Sequence, residues 1–344
     1  MKMNNLSLLE KLCCTGGISG DEGNIREIII NEISDYVSDI QTDNLGNIIA
    51  FKRGREKAAN RLMISAHMDE VGFIVTDITS DGFIKFDEVG GIDRRVVPGD
   101  NVLIHGEVNG VIGMKPIHLC DSDEQKKIPS YSGMYIDIGA DDKEQAMEVV
   151  SLGDSITFNA DYVENHHTIQ SKALDDRVGC FIMIEMIKQD LPYDVYFTFV
   201  VQEEVGLRGA KVASYTVDPD FCIVLESTTA ADVPGVSADK QICNMGDGAV
   251  IGFMDKSTIY DKKMIGECKN IAEENSYKLQ FKRGVAGGND AGIIHKSRGG
   301  VRTLAISLPC RYLHSQRSMI AKEDIDSVYN IAYKLAEKIS GGNV

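Results

Sequence analysis

The feature that most constrains this 344-residue chain is a change of texture that begins near Glu70 and ends near Asp161. On either side, short apolar runs suited to buried strands alternate with stretches whose apolar residues recur at helical spacing. Before the change, Ile25, Ile28, Ile29, Ile33 and Val37 share a helical face, and 62–66 reads as a buried strand. After it, 176–188 and 263–275 read as helices, and 195–201, 221–225 and 303–308 as strands. Ile325, Val328, Ala332, Leu335 and Ile339 place one stripe along a last helix. Such alternation implies a largely parallel sheet with helices on both faces. Between the two halves, 71–78, 82–89, 102–106, 111–114, 135–138 and 156–162 are short β-rich runs separated by Gly and Asp, the spacing of a small barrel or sandwich. Only 143–150 looks helical there, and 119–133 is a polar loop. The simplest organisation is one α/β domain, 1–69 with 161–344, interrupted by a β-rich insert at 70–160.

Two local signals refine the first half. Ser19 and Glu22 have capping-box spacing ahead of the helical stretch. Asp43 to Asn47 reads as a turn before a strand at 48–51.

Composition narrows the function classes. Apolar residues are 43% and charged residues 26% of the chain, ordinary for a globular protein. The net charge of −16 repels phosphate backbones and anionic lipid, which argues against nucleic acid and membrane surfaces as partners. No apolar run approaches the roughly 20 residues of a membrane span. The opening Met1-Lys2-Met3-Asn4-Asn5 does not read as a signal peptide, so a cytoplasmic location is expected. The eight cysteines form no C-x-x-C pair and are expected as buried thiols without disulfides.

The polar residues carry the functional argument. Strand 62–66 runs into His67 and Asp69, strand 195–201 into Glu203 and Glu204, and strand 221–225 into Glu226. Strand 303–308 leads to His314. In open α/β sheets ligands bind beyond the carboxyl ends of the strands, so these residues are expected to converge. Asp175 and Asp176 lie where a helix begins. Each residue alone has an ordinary explanation, as an N-cap, a solvated strand end or a loop histidine. Their coincidence at one sheet edge argues for a site.

Two imidazoles and several carboxylates without thiolate suit divalent zinc, cobalt or manganese. A carboxylate can bridge two ions about 3.5–4 Å apart, an arrangement used for hydrolysis. Glu203 and Glu204 could divide the tasks of base and ligand. Asp69 is spaced to accept the other N–H of the His67 imidazole. His105, His166, His167 and His295 have weaker claims, and His118 is expected as a packed structural histidine.

At these residues the chain resembles the glutamyl and deblocking aminopeptidase family of dinuclear metallopeptidases, some of whose members self-assemble into tetrahedra and some of which carry the label endoglucanase. The resemblance rests on SAHMDEVG at 65–72, KALDDRVG at 172–179, QEEVGLRGA at 202–210, GGNDAG at 287–292 and RYLHS at 311–315. It implies a zinc-peptidase-like mixed sheet flanked by helices, with an inserted small β-barrel domain that takes part in dimerisation. It also implies peptide substrates with a free N-terminus, two divalent ions, and dimers assembling to a dodecamer. The site residues it implies are Asp175 as the bridging ligand, His67 and Glu226 on one ion, Glu204 and His314 on the other, Glu203 as general base, and Asp69 behind His67. The chain departs from the family pattern in having Glu rather than Asp at 226, Asn rather than Thr at 289, and Gln316-Arg317-Ser318 after the histidine.

Two rival readings remain at this level. A glycoside hydrolase needs two carboxyl groups roughly 5–9.5 Å apart but leaves both histidines without a task. A catalytically degraded assembly protein would keep the fold and not the chemistry. An acidic substrate preference would need basic side chains in the pocket, for which Arg208, Arg283 and Arg311 are candidates.

Overall fold

The computed structural model describes residues 5–285 and 287–344. The first four residues, within the stretch read as unlike a signal peptide, lie outside the described residues.

Among the described residues, seventeen strands form three sheets. In chain order they are β1 (Asp39–Thr42), β2 (Ile48–Lys52), β3 (Leu62–His67), β4 (Gly72–Ile78), β5 (Ile84–Val89), β6 (Asn101–Ile104), β7 (Val108–Met114), β8 (Met134–Asp137) and β9 (Ser155–Phe158). They continue with β10 (Val163–Glu164), β11 (Thr168–Ser171), β12 (Val195–Val200), β13 (Phe221–Thr229), β14 (Ala249–Ile251), β15 (Leu279–Phe281), β16 (Arg302–Cys310) and β17 (Ser318–Ala321).

The main sheet has eight strands in the order β1-β2-β12-β3-β13-β16-β14-β15. Its centre, β12-β3-β13-β16, is parallel. β2 joins β12, and β14 joins β16, antiparallel. The central strands are buried on both faces, which explains why they read as continuous apolar runs. Helix Leu174–Ile187 packs on β3 and β13, and Lys322–Ser340 packs on β16. Parallel pairing brings the carboxyl ends of β12, β3, β13 and β16 to one edge.

Strands β4-β5-β8-β7-β6-β9 close into a barrel between β3 and β10. The barrel has its own core, in which Phe73 meets Phe86 and Phe158 edge-on with ring centroids 5.0 and 5.4 Å apart. The neck of this excursion is stitched by a buried ion pair. The Lys172 ammonium lies 2.6 Å from the Glu70 carboxylate, which also accepts the Gly17 N–H at 3.1 Å, with Arg177 3.5 Å away.

Several expectations change. Ser19 and Glu22 form no capping box. The Ser19 hydroxyl donates to Asp69 instead, and Glu22 accepts the Gly20 and Gln202 N–H groups. The edge strands β1 and β15 are short and incompletely buried, and β14 beside β15 has only three residues, so none stands out from the sequence. The run at 156–162 splits, with the barrel strand ending at Phe158. His118 sits exposed in a one-turn helix rather than packed. All eight cysteines are free; six are buried, while Cys14 is exposed and Cys120 partly so. Among the described residues, no helix is long and apolar enough to cross a membrane.

Candidate active site

The carboxyl ends of the parallel strands hold the cluster. β3 ends in His67, β13 carries Glu226, and Glu203 and Glu204 follow β12. Asp175 comes from the kinked start of helix Leu174–Ile187, and His314 from the loop between β16 and β17. Asp175 stands between the two imidazoles: its Oδ1 lies 3.3 Å from His67 Nε2 and its Oδ2 3.1 Å from His314 Nε2. Glu226 lies 3.5 Å from His67 Nε2, and Glu204 3.1 Å from His314 Nε2. Three groups, His67 with Glu203 and Glu204, His67 with Asp175 and Glu226, and Asp175 with Glu204 and His314, bring ligand atoms within 4.8 Å of one another.

The backbone that presents these groups is strained. Ala173, Gln202 and His314 have positive φ of 54°, 56° and 56° without being glycine. Each such residue costs on the order of 1–2 kcal/mol, and strain of this kind gathers where geometry must be held for function. Asp69 locks one of these loops: its carboxylate accepts the Glu203 N–H at 3.0 Å, the Glu204 N–H at 3.2 Å and the Ser19 hydroxyl at 2.6 Å. The nearest acceptor for His67 Nδ1 is the Asp69 carbonyl oxygen, 3.0 Å away, with the carboxylate at 3.5 Å. Orientation of the His67 ring thus comes first from the backbone, where the spacing of residue types suggested the side chain.

The electrostatics are those of crowded, buried acids. Burial pushes Glu203 and Glu226 well above the carboxylate range, with Asp290 adding repulsion at Glu203 and Asp175 at Glu226. Glu204 is raised by burial too, partly offset by its hydrogen bond with His314. Burial would also raise Asp175, yet the hydrogen bond from His314 and the nearby His67 imidazole hold it far below its ordinary value. Burial alone would lower His314, but Asp175 and Glu204 outweigh it and push the imidazole up to about 11. His67 is raised well above its ordinary value against the same penalty, by Glu226, Asp175 and Asp69. Despite these partners, Asp175 Oδ1 is buried without a hydrogen bond. An orphaned buried carboxylate oxygen among imidazole nitrogens suits a divalent cation, so the donor set fits a metal centre.

The cluster floors a cleft of about 370 Å³, whose further walls include Thr229, Ile242, Lys282, Gly288 and Asn289. Residues 46–331 match M42 glutamyl aminopeptidase. The chain belongs to this family. A putative aminopeptidase of Acetivibrio thermocellus is 39% identical over 326 residues, 94% of this chain and 96% of that protein. An aminopeptidase from the archaeon Desulfurococcus kamchatkensis superposes with a TM-score of 0.92 at 31% identity, covering 98% of this chain and 95% of that one. The Pyrococcus horikoshii TET1 peptidase, which can assemble into a tetrahedron or a large octahedral shell, gives 0.83 at 34% identity, with 98% and 99% covered. As an M42 chain this protein is a peptide hydrolase.

Within this M42 site the sequence reading missed the cleft's cation. Arg208 is engaged with Gln202, Arg283 with the Ala238 carbonyl, and Arg311 with Asp232 at 2.6 Å. Lys282, on the segment after β15, lines the cleft instead. Asp290 was also missed as an electrostatic neighbour: it is 1% exposed, and neither of its carboxylate oxygens has a hydrogen-bond partner. The GGNDAG segment marked it only as part of a resemblance. The other histidines stay apart from the cluster. His105 bonds the Val149 carbonyl, His295 the Ala291 carbonyl, and His166 and His167 pack on each other in an exposed turn.

Proposed function

We propose that this M42 peptidase is a two-metal aminopeptidase, its ions held by His67, Asp175, Glu204, Glu226 and His314. The observation that carries the reading is Asp175, with an imidazole against each of its two oxygens. A carboxylate so flanked is placed to bridge two ions, one completed by His67 and Glu226, the other by Glu204 and His314. Imidazole and carboxylate donors suit zinc or cobalt, and also manganese. Paired ions of this kind supply an activated water and polarise the scissile carbonyl.

The protein's own residues do the rest. Glu204 is occupied by His314, whereas Glu203 is backbone-anchored to Asp69 and faces the cleft. Glu203 is therefore the group free to act as general base. It takes the proton of the attacking water and delivers it to the departing amine. Burial raises its proton affinity, the direction that favours holding a proton between the two transfers. Asp69 keeps His67 in the tautomer that offers Nε2. The substrate is a peptide whose free α-amine enters the acidic end of the cleft, which makes the reaction exopeptidic.

The division of labour follows the topology. Residues 1–69 and 161–344 form the catalytic unit, and 70–160 an inserted dimerisation domain, with dimers building a tetrahedral dodecamer. The assembly of the P. horikoshii relative supports this. Eight free thiols suit the reducing cytoplasm as its location.

The decisive test is a panel of aminoacyl p-nitroanilides assayed after chelation and after adding back zinc, cobalt or manganese. Activity should vanish with the chelator and return with metal. Peptidase activity that survives complete chelation overturns the reading.

A further inference from the structure

The two imidazoles are supported differently. His67 is 2% exposed, and its Nδ1 bonds inside its own loop, to the Asp69 carbonyl. Its partner Glu226 accepts the N–H of Ser227, its neighbour on β13, at 3.0 Å. His314 is 30% exposed, and its Nδ1 donates to the Gly91 carbonyl at 2.8 Å. Gly91 belongs to the β5–β6 connection of the barrel.

The adjoining Gly90 has φ +86° and packs so closely that a Cβ would lie 3.3 Å from the Glu204 Cβ and 2.8 Å from Val71. One barrel turn thus touches both His314 and Glu204, the pair that would share an ion. Two residues beyond His314, the Gln316 carboxamide donates to the Asn101 carbonyl at 3.3 Å and the Asn159 carbonyl at 3.2 Å. These acceptors lie at the start of β6 and just past β9, on the barrel rim. Arg317 follows, 3.9 Å from Asp161. Gln316 and Arg317 fall in the segment where the chain departs from the pattern it resembles, and the catalytic scheme leaves them without a task.

We propose that the barrel rim is a working part of the metal centre, and that Gln316 is the positioning residue that docks the His314 loop onto it. The inference rests on the two-metal reading. A carboxamide has two N–H groups, and here both are spent across the domain junction. With the loop pinned two residues downstream, the Gly91 carbonyl fixes the His314 ring so that Nε2 points at Asp175 and Glu204. Partners behind a ligand typically change metal affinity 10–100-fold. The Gln316 bonds are long and partly exposed, so the low end applies.

The test titrates cobalt into chelator-treated, dialysed protein and follows binding by calorimetry. Wild type is compared with Gln316→Ala and with Gln316→Met, which fills the same space without a donor. Both variants should bind one cobalt about tenfold more weakly and the other unchanged. At limiting cobalt their kcat should fall with KM unmoved, and excess cobalt should restore it. Wild-type affinity at both sites in both variants overturns the inference. So does weakening in Gln316→Ala alone, which would make packing the cause. If the alanine variant does not fold, Gln316→Met decides the matter by itself. A wild type that binds no cobalt overturns the two-metal reading and the inference together, an outcome visible before any variant is compared.

Discussion

The adjacent acids Glu203 and Glu204 share an environment and differ in their partners. Both line the cleft and both donate a backbone N–H to Asp69, but Glu204 also meets the His314 imidazole at 3.1 Å. Glu203→Gln should therefore keep its metal content, measured by elemental analysis, and lose about 10²–10⁴-fold in kcat, the usual weight of a general base. Full turnover in that variant would remove Glu203 from the role. Proton bookkeeping gives a second expectation. The His314 pKa is raised, from an ordinary 6.5 to about 11, and that of His67 is raised too. The stabilisation that the protonated imidazoles give the metal-free protein is thus complete below pH 6.5 and is lost as pH rises through the folded values. A metal ion must displace those protons. Loading at pH 7 should therefore release protons, and apparent affinity should climb with pH. Calorimetry in two buffers of different ionisation enthalpy reads the release, and identical heats would contradict it. At this scale the ligand types were legible because most sit at or soon after the end of an apolar run, and Asp175 at the start of a helix. The partners behind them were not. Ser19 and Asp69 are 50 positions apart, and Gly91 and His314 are 223 apart. Nothing local marks such pairs, and the motif spacing of Ser19 and Glu22 pointed to a cap that the fold does not use.

At the scale of elements, buried central strands and amphipathic helices announced themselves because continuous burial leaves continuous apolar sequence. β1 shows the opposite case. Its residues Asp39–Thr42 are mostly exposed, so neither alternation nor an apolar run marks it as a strand. The pairing of β11 with β17 joins short segments far apart in the chain, and its register depends on contacts that no local pattern records. The ion pair at the barrel neck gives a prediction here. Lys172→Met leaves the buried Glu70 carboxylate with only the more distant Arg177 and the Gly17 N–H. Breaking a buried pair from one side costs about 3–5 kcal/mol, and the surviving partners place this case near 3 kcal/mol. Urea unfolding should show the loss as a lower midpoint, and an unchanged midpoint would mean that the pair contributes nothing net.

Over the whole molecule, the acid and histidine cluster lies at the sheet edge, and exposed apolar residues occur both on the barrel and elsewhere, Ile259 and Phe253 among the latter. Ile117 and Leu119 are 72% and 61% exposed, with Met114 and Ile128 also open to solvent. Where such residues adjoin in one large patch, they mark a surface for contact. If the barrel serves the proposed dimerisation, Ile117→Asp with Leu119→Asp should shift the assembly to smaller species in sedimentation velocity. Hydrolysis of a small aminoacyl amide should persist, since neither residue lines the cleft. An unshifted sedimentation profile would send the search for the subunit contact elsewhere on the surface.

The neck of the barrel reaches further than its stability. Glu70 and Lys172 are 102 positions apart in the chain, yet their charged groups lie 2.6 Å apart. To the α/β half, everything between them is a side trip that returns to its starting point. The trip can therefore grow, shrink or be exchanged over generations without displacing His67 on one side or Asp175 on the other. Two obligations limit that freedom: a carbonyl must remain under His314, and a pair of acceptors must remain within reach of Gln316.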